Sequence, residues 1–212
     1  MARAIYRGLV ESGFPAENIG VVDPSEAAQS AARASGLIRI AESATDADLS
    51  ADLIVLAVKP QITGIALSPL AHRVSSTATV LSIIAGINSA SLANLLGLPN
   101  DDAVVRSMPN TPALVGEGMT GLFSNSDQRA HGRILAERVM SAVGQCVWVS
   151  NESDLDLVTA ISGSGPAYFF LFMESLADAA VELGMSPQTA HQLSVQTALG
   201  AAKLAQTSDD GL

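Results

Sequence analysis

Short apolar runs rich in β-branched residues alternate with helical patterns over the first 150 residues. This alternation is typical of a parallel sheet whose strands are connected by crossover helices. The run at 53–58 is apolar at every position, which predicts a strand covered on both faces, and Lys59-Pro60 ends it. The predicted strands are residues 19–22, 37–40, 53–58, 80–84, 103–108 and 146–149.

The pattern changes after Asn151, where strand signals stop and helical spacing continues. It predicts one long helix from Glu152 to about Gly184 and a second from Pro187 to about Gln206. We therefore expect an α/β fold in two domains, a mostly parallel sheet domain over residues 1–151 and an all-helical domain over residues 152–212.

Composition and charge narrow the classes of partner. The formal net charge is -10 and Lys59 and Lys203 are the only lysines, so we expect a small-molecule ligand and no nucleic acid. No apolar run reaches the length of a membrane span, and the N-terminus lacks a signal-peptide layout, so we expect no membrane association. The single cysteine, Cys146, fits a reducing cytoplasm.

Residues 160–168 place two Ser, two Gly and a Pro inside the first long helix. Because helix interiors disfavour these residue types, another requirement outweighs helix propensity there. Ser162 and Ser164 offer hydroxyl donors, and Gly163 and Gly165 leave room for a small anionic substrate. A kink with tight helix packing explains the segment equally well.

Asp23 directly follows the first predicted strand. An acidic residue at this position hydrogen-bonds the adenosine ribose in dinucleotide-binding folds. A helix cap or a turn residue before Pro24 is an equally good interpretation. The glycine-rich phosphate loop that accompanies such an acidic residue is absent, because residues 1–10 form an amphipathic helical pattern instead.

Five ordered motifs resemble those of the pyrroline-5-carboxylate reductase family. The resemblance covers essentially the whole chain and implies a Rossmann-like NAD(P)-binding domain followed by a helical dimerisation and substrate domain. It also implies reduction of 1-pyrroline-5-carboxylate to L-proline by NADPH or NADH, the last step of proline synthesis, in a homodimer or higher homo-oligomer. The motifs begin at Met1 (MARAI), Leu56 (LAVKPQ), Ser82 (SIIAG), Val105 (VRSMPNTP) and Ser162 (SGSGPAY).

The resemblance also implies roles for single residues. On the cofactor side it names residues of three loops, which join Asp23 as candidate cofactor residues: Ala57, Val58, Lys59, Pro60, Ala85, Gly86 and Asn110. Lys59 would otherwise be a surface lysine at a strand end, and Asn110 a turn residue between prolines.

On the substrate side the resemblance names Glu152, Ser162 and Ser164. Glu152 has the alternative role of stabilising a helix N-terminus. We expect Tyr168 to be a core aromatic rather than a proton donor, and we expect no covalent nucleophile and no metal site. No catalytic residue is named, and the proton donor stays open. Orientation is most of the catalytic task, because a protonated ring C=N carbon is already electrophilic. The apolar surface at 169–180 predicts an oligomer.

Two departures from the family pattern lead us to expect a fragment. The first strand and its glycine turn are missing before Met1, and the chain stops before the family's Ser-Pro-Gly-Gly-Thr-Thr segment. Two other functions therefore stay open. One is a catalytically incomplete module that only binds nucleotide or oligomerises. The other is a β-hydroxyacid dehydrogenase type of reductase, although such enzymes carry a central-helix lysine and residues 158–183 contain none.

Cofactor preference also stays open. Asp23 would repel a 2′-phosphate and favour NADH, whereas Ser25 could donate a hydrogen bond to that phosphate.

Overall fold

A computed structural model describes residues 1–47, 49–126 and 130–208. It divides the chain into two compact units, Met1–Gly163 and Ser164–Leu212. The first unit holds every strand of the described residues, and the second consists of two long helices. The predicted fold class, a mostly parallel sheet with helices followed by a helical region, is confirmed.

The strands of the first unit form two sheets. The pair β1-β2 is parallel, and the larger sheet has the order β3-β4-β5-β6-β7, in which only the β5-β6 pairing is antiparallel. The strands are β1 (Gly20–Val22), β2 (Arg39–Ala41), β3 (Leu53–Leu56), β4 (Thr79–Ser82), β5 (Val104–Met108), β6 (Gly118–Ser124) and β7 (Gly144–Trp148).

All six predicted strands are present, with bounds shifted by one or two residues. The strand Gly118–Ser124 was not predicted, because its two glycines weaken a strand pattern. Both glycines fill places that no side chain could occupy. A Cβ on Gly121 would lie 2.8 Å from Val158, and a Cβ on Gly118 would lie 2.8 Å from the Val143 carbonyl oxygen.

Helices cover both faces of the large sheet. Neighbouring residues along a strand point to opposite faces, so Val80 and Val104 lie in one core cluster while Leu81 and Val105 lie in another. This explains why the strands are apolar at successive positions. The helices of the first unit are α1 (Ala2–Glu11), α2 (Glu26–Ala34), α3 (Thr63–Leu67), α4 (Ser89–Leu96), α5 (Ala130–Ser141) and α6 (Asp154–Val158).

Helix α1 packs its apolar stripe into the cluster that contains Leu81. Ile5 and Leu9 are almost fully buried there. Gly8 occurs within this helix because a Cβ at that position would overlap the Ala142 carbonyl oxygen and lie 2.7 Å from the Val143 side chain. The close approach outweighs the low helix propensity of glycine.

The long helical stretch predicted from Glu152 contains a π-helical turn. Helix α6 runs into the π turn Thr159–Gly163, and α7 follows at Gly165–Glu182. The disruption that the sequence predicts at 160–168 is therefore a change of helix type. Close backbone packing does not accompany it, since the nearest atom to a Cβ built on Gly163 is a Met108 methyl at 3.5 Å.

The second unit consists of α7 and α8 (Pro187–Thr207), which pack against each other. The expectation that Tyr168 is a core residue is wrong for the single chain, in which Tyr168, Phe169, Phe170 and Phe172 are each more than 60% exposed. Such a surface needs a partner to cover it.

By length and composition alone, the 29-residue stretch Asp154–Glu182 could cross a membrane. The expectation that no segment reaches that length is therefore wrong. Only 11% of its most apolar 18-residue segment is buried inside the chain. A helix whose apolar surface is covered by a second copy of the chain passes the same test.

Candidate cofactor and substrate site

Three loops that the sequence analysis assigned to the cofactor lie at one edge of the large sheet. Residues 57–60 follow β3, residues 85–86 follow β4, and Asn110 follows β5. These three strands are adjacent and parallel, so their carboxyl ends meet at the same edge. Ligands of open α/β sheets bind at this edge.

The first two loops have features that fit a nucleotide. Lys59 is exposed directly after the strand end, and Pro60 opens a short 3₁₀ turn. Gly86 has a φ of 74°, and nothing lies within 4 Å of a Cβ built on it. The backbone at Gly86 is therefore open to close approach by a ligand, and Lys59 offers a positive charge at the same sheet edge for a phosphate.

Asp23 is held in a turn at the end of β1. Its Oδ1 accepts a hydrogen bond from the Ser25 amide at 2.9 Å, and its own amide donates to the Ala41 carbonyl oxygen. This Asx turn leaves Oδ2 without a hydrogen-bond partner among the described residues. Asp23 follows the last paired residue of the two-stranded sheet, and no described hydrogen bond joins its side chain to the loops of the large sheet.

Asn110 connects the cofactor edge to the π turn. Its Nδ2 donates to the Ser162 carbonyl oxygen and its Oδ1 accepts from the Met119 amide, both at 2.9 Å. The residue is only 9% exposed. Its side chain makes no Asx turn, since both partners are distant along the chain. The structure thus brings together two residues that the sequence analysis assigned to different ligands.

The hydroxyl of Ser162 is already engaged inside the helix. It donates to the Val158 carbonyl oxygen at 3.0 Å, so it can offer a ligand only its lone pairs. Ser164 lies in the second unit, just before α7, and its side chain makes no capping hydrogen bond. Of the two hydroxyls, only that of Ser164 is described without a bond to the backbone.

Glu152 bonds to the N-terminus of α4. One oxygen, Oε1, accepts from the Ser89 amide at 2.6 Å, the Ser89 hydroxyl at 2.8 Å and Arg106 at 3.2 Å. Partial burial by itself would raise the pKa of Glu152, but these hydrogen bonds and the Arg106 charge outweigh it and hold the pKa below its ordinary value. Glu152 thus stabilises a helix terminus, although not that of the helix it precedes.

Arg106 and Ser89 were missed by the sequence analysis. Arg106 interrupts the otherwise uncharged strand Val104–Met108, and a cation inside a buried strand needs an acidic partner. That signal was available, but its partner lies 46 residues away along the chain. Ser89 carries no comparable signal, because serine is common in the first turn of helices.

Comparison with protein families finds two matches, one in the N-terminal part of the chain and one in the C-terminal part. Residues 152–211 match the family described as pyrroline-5-carboxylate reductase dimerisation. Residues 1–86 match the family described as NADP oxidoreductase, coenzyme F420-dependent. The first match covers α7 and α8, the helices whose apolar surfaces are exposed in the single chain, and its name describes a segment through which related chains associate.

Relatives named pyrroline-5-carboxylate reductase match nearly the whole chain. Pyrroline-5-carboxylate reductase of Pseudomonas aeruginosa is 43% identical over 209 residues, which are 99% of this chain and 76% of the relative. The reductase of Haemophilus influenzae is 42% identical over 204 residues, 96% of this chain and 74% of the relative. The chain therefore spans about three quarters of the length of these relatives.

Solved structures agree with the sequence matches. The pyrroline-5-carboxylate reductase of Coxiella burnetii has a TM-score of 0.89 and 35% identity, covering 99% of this chain and 77% of that one. The Plasmodium falciparum enzyme, solved with NADP bound, has a TM-score of 0.83 and 32% identity, covering 98% and 76%. A prephenate dehydrogenase at 18% identity shares the fold alone. The chain belongs to the pyrroline-5-carboxylate reductase family.

Proposed function

We propose that the protein reduces 1-pyrroline-5-carboxylate to L-proline with NAD(P)H, the last step of proline biosynthesis. The observation that carries this proposal is the convergence of the loops at 57–60 and 85–86 with Asn110 at one sheet edge. Identity above 40% to relatives named for this reaction supports the same function. We also propose a cytoplasmic location, which the lone cysteine supports.

The cofactor side of the proposed site consists mainly of backbone. Ala57, Val58 and Pro60 line the loop after β3, and Ala85 and Gly86 the loop after β4. Lys59 adds a positive charge for a phosphate group, and the free carboxylate oxygen of Asp23 suits a ribose hydroxyl. Asn110 retains one amide hydrogen that faces no described partner. When bound, NAD(P)H supplies the hydride that the C=N carbon accepts.

On the substrate side we propose Glu152, Ser162 and Ser164. The second oxygen of Glu152 has no described hydrogen-bond partner, so it is available to a protonated ring nitrogen. A carboxylate with a lowered pKa stays charged at neutral pH and favours the protonated imine. Residues 1–151 then act as the nucleotide-binding part of the chain, and residues 152–212 as the substrate-binding and dimerisation part.

The test is oxidation of NADPH and NADH in the presence of 1-pyrroline-5-carboxylate, with L-proline identified as the product. It is run on the 212-residue chain and on the complete reading frame that contains it. Turnover in either preparation supports the reductase. Cofactor binding without turnover in both favours a nucleotide-binding module.

The two lysines provide a matched pair for the cofactor side. Lys59→Met removes the charge at the strand end, and we expect about a tenfold higher Kd for NADPH, measured by nicotinamide fluorescence. Lys203→Met changes the same residue type on α8 and serves as the control. Equal Kd values for the two variants contradict the proposed role of Lys59.

A further inference from the structure

The carbonyl of Ser162 has lost its ordinary helical partner. In a regular α-helix it would accept from the amide of residue 166, but that residue is Pro166, which has no N–H. The next amide, that of Ala167, donates to the Ser164 carbonyl oxygen instead. The bond from Asn110 Nδ2 at 2.9 Å supplies the missing donor.

The other end of the Asn110 amide is fixed to the sheet. Oδ1 accepts from the amide of Met119, which is paired with Gln145 in the adjacent strand. The orientation of the amide is determined by its partners, because a carbonyl can only accept and an N–H can only donate. Pro109 and Pro112 flank Asn110 and restrict the backbone of its loop.

We propose that Asn110 is a positioning residue that replaces the donor lost at Pro166 and so holds the π turn at Ser162 against the start of β6. π turns recur at functional sites, where the surrounding structure must support their irregular hydrogen bonding. This role rests on the proposed function for its kinetic effect, but its structural effect does not depend on any activity.

Two variants separate the two hydrogen bonds. Asn110→Ala removes both. Asn110→Asp keeps an acceptor for Met119 but presents a carboxylate to the Ser162 carbonyl, until protonation returns a donor. Ser107→Ala is the matched control, because the buried Ser107 hydroxyl also donates to a backbone carbonyl oxygen, that of Ser82 at 3.0 Å.

The first measurement is steady-state kinetics with pyrroline-5-carboxylate at several pH values. Relative to the parent chain at pH 7.5, we expect kcat/KM to fall at least tenfold in both Asn110 variants, a larger change than the rise in the Kd for NADPH that loss of the remaining amide hydrogen causes. The loss of kcat/KM in Asn110→Asp, relative to the parent chain, becomes smaller as the pH is lowered toward 5.5, whereas the loss in Asn110→Ala stays constant. Ser107→Ala leaves kcat/KM within twofold.

The second measurement is amide hydrogen exchange over residues 159–163. We expect at least tenfold faster exchange in Asn110→Ala and no change in Ser107→Ala. Unchanged exchange together with unchanged kcat/KM overturns the proposal, as does a loss confined to the Kd for NADPH with unchanged exchange, which leaves Asn110 a cofactor contact and nothing more. If the parent chain does not reduce pyrroline-5-carboxylate, the proposed function fails, and the exchange comparison alone decides the positioning role.

Discussion

The network around Glu152 allows a quantitative test of how the segment before the π turn is held to the sheet. The Arg106 side chain is only 12% exposed and that of Glu152 is 26% exposed, so water replaces their contacts only in part. Glu152→Ala leaves the Ser89 amide, the Ser89 hydroxyl and the Arg106 guanidinium without their acceptor. Hydrogen bonds to charged groups contribute about 1.5 to 3 kcal/mol each, and they are not additive.

We expect Glu152→Ala to lower the free energy of unfolding by about 2 to 4 kcal/mol at pH 7. Glu152→Gln keeps an acceptor for Ser89 but loses the charge opposite Arg106. We therefore expect it to lower the free energy of unfolding by about 1 to 2 kcal/mol. Urea unfolding at fixed protein concentration measures both, followed by fluorescence of Trp148, the only tryptophan and a residue of the first unit.

The contribution of Glu152 to the free energy of unfolding changes with pH in a definite direction. The pKa of Glu152 is lower in the folded chain than in the unfolded chain. Its contribution is therefore complete above the unfolded value of about 4.3 and is lost as the pH falls through the lower, folded-state pKa. The difference in stability between the parent chain and Glu152→Gln should accordingly be constant from pH 7 to about pH 5 and should shrink below that.

Glu11→Ala is the control, because the Glu11 and Arg7 side chains form an exposed ion pair with 67% and 49% accessibility. We expect less than about 0.5 kcal/mol for that change. If Glu152→Ala destabilises the chain no more than Glu11→Ala does, the network makes no net contribution and the reasoning about its burial is wrong.

Three other substitutions test separate features. Gly144→Ala should destabilise the first unit by about 2 kcal/mol or more in urea unfolding, because Gly144 has a φ of 148° and a Cβ there would overlap the Gly118 backbone. Phe170→Asp should shift the oligomer toward monomer in light scattering, since Phe170 is 61% exposed in the single chain. Asp23→Ser should raise the affinity for NADPH relative to NADH about tenfold in fluorescence titrations, because the carboxylate opposes a 2′-phosphate.

Each of these has a control within the chain. Gly13→Ala tests positive φ alone, since Gly13 has a φ of 90° but nothing within 4 Å of its Cβ position, and it should be the milder change. Ile65→Asp places the same charge on an exposed apolar residue outside residues 152–211 and should not alter the oligomer. Glu17→Gln removes an exposed carboxylate from the turn before β1, at the opposite end of that strand from Asp23, and should not change cofactor preference. Equal effects in variant and control contradict the corresponding prediction.

The strands and long helices could be predicted because local apolar patterns specify them. The run at 53–58 and the helix beginning at Pro187 follow the expected periods directly. The strand Gly118–Ser124 could not be predicted in this way. Its glycines are required by close contacts with Val158 and Val143, and only the fold brings those two residues close to the strand. The π-helical conformation at 159–163 also depends on contacts that the local sequence does not specify, although Pro166 indicates that the helix is irregular there.

The site could be predicted residue by residue but not as a set of bonds. The motifs pointed to Asn110, Ser162 and Glu152 separately. The hydrogen bond of Asn110 to Ser162 spans 52 residues along the chain and that of Ser89 to Glu152 spans 63. No local spacing encodes contacts at such separations, which is why the sequence places Asn110 with the cofactor and Ser162 with the substrate.

The two-faced core of the large sheet determines which substitutions influence one another. Val104 and Val105 are adjacent along the chain but belong to different clusters, whereas Val80 and Val104 are paired across two strands and share one cluster. Effects of substitutions at Val80 and Val104, whose side chains pack in one cluster, should therefore depend on each other more strongly than effects at Val104 and Val105, whose side chains share no cluster. In this sheet, side-chain coupling is stronger between paired positions 24 residues apart than between neighbours along the chain.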